Sequence, residues 1–200
     1  MRKILPALFS GALSTLFLIA QVEASPVVVN GFNPSNPYYP EEYYSYHVAT
    51  GVDVANAMIE LEDGSQWKAA DADCVQLLSW RQGDITIITP NHSFGGSDYT
   101  FYITNQANES YVRVNLINGP LVGSANTMLI TGMDANSNSK RAIYLNNGTN
   151  WKIDSCDFRT IDSWNVHDPV IVGRNDAWFT NHGTILINVL TNTYVRAKKI

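Results

Sequence analysis

Nucleophilic catalysis needs a thiol or hydroxyl with a base beside it, so the two cysteines and four histidines of this 200-residue chain come first. Cys156 with His167 or His182 is the pairing a fold could assemble, in the manner of a small envelope hydrolase, although no local signature surrounds the cysteine. There is no G-x-S-x-G elbow, and the serines fall mostly in turns. There is no H-E-x-x-H, nor any histidine pair at helical ligand spacing. Asp71-x-Asp73 resembles a fragment of a calcium loop but lacks the later oxygen ligands and the closing Glu. The pattern calls for no metal and no cofactor, and it favours a non-enzymatic protein. Asp63, Asp73, Asp84, Asp157 and Asp168 stand where caps and turns use carboxylates.

Aromatic residues offer the other chemistry. Exposed tryptophans stack on sugars or clamp proline-rich peptides, yet Trp67, Trp80, Trp151 and Trp164 each lie on the apolar face of their element and recur in register, as core residues do. Trp178 has no such match and is the candidate for an exposed contact. With it go Asn91, His92 and Asn175, polar loop residues outside the strand pattern. They and a groove between domains form the expected contact surface for a protein, peptide or glycan partner.

The elements that position these residues come from a duplication. Ile59, Leu61, Trp67, Trp80, Asp84 and Asn91 recur as Ile143, Leu145, Trp151, Trp164, Asp168 and Asn175, each pair 84 positions apart. Within each copy, a three-residue loop at Glu62-Asp63-Gly64 with Gly64 left-handed sets Ile59 against Trp67 and Leu61 against Ser65. Glu60, Glu62, Gln66 and Lys68 then fall on the other face. The same rule sets Ile143 against Trp151 and Leu145 against Thr149. A two-residue loop would scramble both faces. Next, Asp73 and Asp157 are placed to cap one or two helical turns carrying Leu77 and Trp80, or Ile161 and Trp164. Strands Ile85–Ile88 and Val170–Val172 follow turns at Gly83-Asp84 and His167-Asp168. Alternation continues through Tyr99–Thr104 and Tyr111–Leu116, and Tyr111-Val112-Arg113 returns as Tyr194-Val195-Arg196, now offset by 83.

About five short strands in fewer than 60 residues fit a small, partly open barrel. The fold class expected is all-β: two tandem small SH3-like β-barrels with an extended N-terminal arm. Such a barrel buries too little surface to be robust alone, so docking of the two copies is expected to add stability. The domains are residues 51–117 and 142–200, joined by a linker over 118–141 rich in Gly, Asn and Ser. Thr127–Ile130 is expected to form one strand within the linker, and Val52–Val54 one before the first hairpin. Residues 25–50, rich in Pro and Tyr, read as an extended, partly mobile spacer, its tyrosines a binding surface or a cover along the first barrel.

Residues 1–24 read as a secretory signal peptide: Arg2-Lys3, an apolar run from Ile4 to Ala20 interrupted by Pro6 and Gly11, then Val22-Glu23-Ala24 for cleavage. The expectation is export to the periplasm or secreted space, with no membrane insertion after cleavage. The chain carries a net charge of −5, and loss of Arg2, Lys3 and Glu23 makes it one unit more negative. With no basic run, it has no electrostatic footprint for nucleic acid. In an oxidising compartment Cys74 and Cys156 can form a disulfide if their Cα atoms come within about 7 Å; otherwise two buried thiols result.

The Leu61-x-Asp63-Gly64-Ser65-x-Trp67 hairpin, the Asp and Trp before Gly83-Asp84 and the closing Val-Arg strand resemble uncharacterised exported bacterial proteins. The resemblance covers 59–117 and 143–200, implies the SH3-like barrel and carries no activity. The second copy departs from it at Asn147 and His167, which puts turn geometry in question there.

Overall fold

A computed structural model describes residues 41–93, 97–134, 141–178 and 180–200. The expected signal peptide and the first part of the arm, 25–40, lie outside the described residues. Twelve strands form two closed antiparallel barrels. The first contains β1 (Tyr46–Asp53), β2 (Met58–Leu61), β3 (Gln66–Ala69), β4 (Ile85–Pro90), β5 (Phe101–Asn105) and β6 (Tyr111–Asn118), in the order β1-β2-β3-β6-β5-β4. The second contains β7 (Met128–Asp134), β8 (Ala142–Leu145), β9 (Asn150–Ile153), β10 (Pro169–Arg174), β11 (Thr184–Asn188) and β12 (Thr193–Lys199), in the matching order. One-turn helices α1 (Cys74–Leu77) and α2 (Phe158–Ile161) follow β3 and β9.

The hairpin geometry is as the spacing requires. Ile59 pairs with Trp67 and Ile143 with Trp151. The Leu61 and Leu145 amides donate to the Ser65 and Thr149 carbonyls, with Gly64 and Gly148 left-handed. Each tryptophan is fully buried, and its indole N–H donates to the hydroxyl two residues back, Ser65 at 3.0 Å and Thr149 at 2.8 Å. Trp80 and Trp164 are also buried, donating to Ser110 and Thr193. His167 adopts φ of 75° where Gly83 has 94°, so the departure leaves a side chain in a conformation that suits glycine.

Three expectations, of strand number, boundaries and caps, need correction. Each barrel has six strands and is closed, because β1 and β7 bridge the edges that five strands leave open, pairing with β4 and β2, or β10 and β8. The boundaries move accordingly: the arm ends before Tyr46, and the linker ends before Met128. Asp73 and Asp157 make no side-chain cap hydrogen bond. Each instead grips an arginine of the closing strand through the backbone amide and a two-pronged ion pair, Asp73 with Arg113 and Asp157 with Arg196. The Glu62 carboxylate meets buried His47, whose other ring nitrogen lies 2.8 Å from the Val172 carbonyl of the second barrel.

Of the arm, only the residues from Glu41 on are described, and those before β1 do not cover the first barrel. Residues Glu41–Ser45 form a 3-10 turn that docks on the second, where Tyr44 is 1% exposed and meets Trp151 edge-on, ring centres 5.8 Å apart. In the first barrel Phe101 meets Trp67 the same way at 5.7 Å. The residue equivalent to Phe101 is Thr184, whose hydroxyl donates to the Glu41 carboxylate. Tyr44 thus supplies from another part of the chain the ring that β11 lacks.

The barrels share an apolar boundary. All five residues of β11 are buried: Leu186 packs within the second core, while Ile185 and Ile187 join Ile171 against the core of the first. Gly173 permits the close approach, since a Cβ there would stand 2.7 Å from the Ile88 carbonyl oxygen. Residues Gly119–Asn126 cross the first hairpin, with the Leu121 amide donating to the Asp63 carbonyl and the Asn126 amide group to the Glu62 carbonyl.

Candidate functional site in the cleft between the barrels

β12 closes its barrel with alternate side chains turned in and out. Val195 and Ala197 enter the core, leaving Tyr194 and Arg196 on the outer face. Arg196 is fixed there by Asp157, and its guanidinium also stands 3.5 Å from Asp154. Tyr194 is part-buried beside Phe101 of the first barrel; burial, with Asp157 nearby, raises its phenol above the ordinary value and keeps it a hydrogen-bond donor. From the first barrel, His92 Nε2 lies 2.9 Å from Asp176 Oδ1. These two hold equivalent places in the duplication, so corresponding loops of the copies meet directly. Together His92, Asp157, Asn175, Ala177, Tyr194 and Arg196 line an open cleft of about 460 Å³.

Of the four residues expected at the contact surface, the structure brings His92 and Asn175 to this cleft. Trp178 follows lining residue Ala177 and is 86% exposed, the most exposed of the five tryptophans. Asn91 and Asn175 have an internal task as well: each donates to a carbonyl across its hairpin, Tyr99 or His182, and accepts a backbone amide from Ser93 or Ala177. Their recurrence therefore reflects loop construction. Tyr194, Arg196, Asp157 and Asp176 escaped the sequence reading. The signal was present in the repeated Tyr-x-Arg, whose alternation puts both side chains outside.

No family model, curated protein or solved structure matches this chain.

The cysteines are unpaired: Cys74 is half-buried and Cys156 exposed, so neither the disulfide nor the pair of buried thiols is formed. The barrels contact each other through β4 and β10. His167 serves as the turn residue before Asp168, its amide bonded to the Ile130 carbonyl. His182 Nδ1 stands 3.5 Å from Asp154 Oδ2, while Asp154 Oδ1 accepts the Cys156 amide. Burial would raise the Asp154 carboxyl, but that amide, Arg196 and His182 hold it below the ordinary range. Among the described residues no hydrogen bond joins Cys156 to a histidine, and no group of three His, Cys, Asp or Glu side chains could hold a metal ion. No described helix is long and apolar enough to cross a membrane.

Proposed function

We propose that the chain is an exported, non-enzymatic tandem barrel module that binds a partner, a protein, peptide or glycan, in the cleft between its barrels. The observation that carries the reading is one almost fully exposed indole, Trp178, on the residue that follows Ala177 in the lining of a polar cleft to which both copies contribute. Large apolar side chains so exposed mark contact sites when they adjoin a concavity with convergent polar groups. Export rests on the amino-terminal pattern of charge, apolar run and small-x-small site.

The test is capture of cell-envelope material on the immobilised chain. A partner retained by the native chain and lost with Trp178→Ala supports the reading. Turnover of peptide or glycan substrates that vanishes in Cys156→Ala would replace it with the hydrolase.

A further inference from the structure

We infer that the ligand of this cleft is a neutral oligosaccharide; this rests on the binding reading above. Three observations lead there. First, among the described residues the one guanidinium in the cleft lining is held by Asp157 and flanked by Asp154, so none of them leaves an uncompensated cation for a phosphate, sulfate or uronate. Asp176 is likewise engaged by His92. Second, both barrels are closed rings of strands, so neither offers the free edge that adds a peptide as an extra strand. The lining is too polar for the apolar face of a helix, and its charges already face opposite partners, which disfavours acidic or basic motifs. Third, what remains are groups suited to hydroxyls: the Tyr194 phenol, the amide of Asn175, the edges of the Asp157–Arg196 pair and the His92 ring. Trp178, which follows lining residue Ala177 in the chain, offers an exposed indole on which the C–H surface of a pyranose ring can stack. The volume, about 460 Å³, falls within the range of small-ligand pockets.

The experiment titrates the purified chain by calorimetry with cellotetraose, xylotetraose and chitotetraose, with tetragalacturonate and a proline-rich decapeptide for comparison. Acrylamide quenching runs in parallel. It reports on Trp178, since Trp67, Trp80, Trp151 and Trp164 are buried. Expected is saturable binding of at least one neutral tetrasaccharide that protects Trp178 from the quencher and weakens roughly tenfold or more in Trp178→Ala, at an unchanged melting temperature. Equal affinity in Trp178→Ala would overturn the placement of the sugar. Binding of the peptide or tetragalacturonate alone would overturn the ligand class and leave the binding module standing. Absence of sugar binding overturns the sugar, and only if envelope capture also returns nothing does the binding reading fall with it.

Discussion

His47 is buried where the barrels meet, with Nδ1 2.9 Å from Glu62 Oε1 and Nε2 2.8 Å from the Val172 carbonyl of the second barrel. Burial alone would push His47 down, but Glu62, with Asp63 and that carbonyl, carries it up to about 9. Burial and the Glu62 charge push Asp63 up to about 6. Both pKa values are raised, so each stabilising contribution is full below the unfolded value and lost as pH rises through the folded one. Stability should therefore decline in two stages, through Asp63 from about pH 4 to 6 and through His47 from about pH 6.5 to 9, measurable by denaturant titration across that range. The second copy is an internal control. Its hairpin does the same bonding with neutral groups: Asn146 accepts the Leu129 amide as Glu62 accepts that of Val48, and Asn147 accepts Thr149 as Asp63 accepts Ser65. Met128 stands where His47 does. Importing all three residues, His47→Met, Glu62→Asn and Asp63→Asn, should flatten the pH profile with little loss of stability, whereas Glu62→Ala alone should cost about 3 kcal/mol or more by leaving a buried imidazole without its partner. Asp63 and Asn147 were readable as turn formers from their place before glycine. The ion pair was not, because the residues that meet in it belong to different strands and depend on a second barrel to bury them.

The first strand of each barrel, β1 or β7, carries a repeat of its own. The duplication was located from the Leu-x-Asp-Gly hairpin onward at an offset of 84, and the earlier match Thr50-Gly51-x-Asp53 with Thr131-Gly132-x-Asp134 lies at a different offset. Both sequences form the same bulge, at Ala49/Gly51 and Ile130/Gly132, with the threonine hydroxyl donating to the carbonyl of residue 60 or 144. The core tryptophans and the hairpin register were legible because they follow a period of two. The 3-10 turn at Glu41–Ser45 was not, since its hold is long-range: Glu41 bonds Thr184 and the Lys199 amide, and Lys199 Nζ bonds the Tyr44 hydroxyl. Tyr44→Ala should cost about 3 kcal/mol of unfolding free energy in denaturant titration, and Tyr44→Phe about 1 kcal/mol. Adding Thr184→Phe to Tyr44→Ala should recover part of the loss, because it restores an aromatic ring at the place Phe101 fills in the first barrel.

For the whole molecule, the apolar face of β10 and β11 belongs to both bodies, since Ile171, Ile185 and Ile187 cluster with Trp67, Phe101 and Ile88. Thermal unfolding should be a single transition whether followed by far-UV or near-UV signals. Gly173→Ala should destabilise by about 1 to 3 kcal/mol through its encounter with the Ile88 carbonyl, and should separate the transition into two if that contact is what couples the barrels. The duplicated pattern revealed two barrels but not which faces join, because the outward residues of β5, Tyr102 and Thr104, differ from their counterparts Ile185 and Ile187 only after the arrangement is known to bury the latter. The cleft was half legible for the same reason: loop residues could be nominated, whereas their meeting across the two copies needed the packing. The Tyr44 insertion also bears on the order of events at the ribosome. The ring is translated before either barrel, while Val195, Ala197 and Lys199 complete its binding place, Lys199 following it by 155 positions. The second barrel therefore cannot take its final packing while its closing strand is still in the exit tunnel, and the Glu41–Ser45 turn must stay undocked until β12 has emerged.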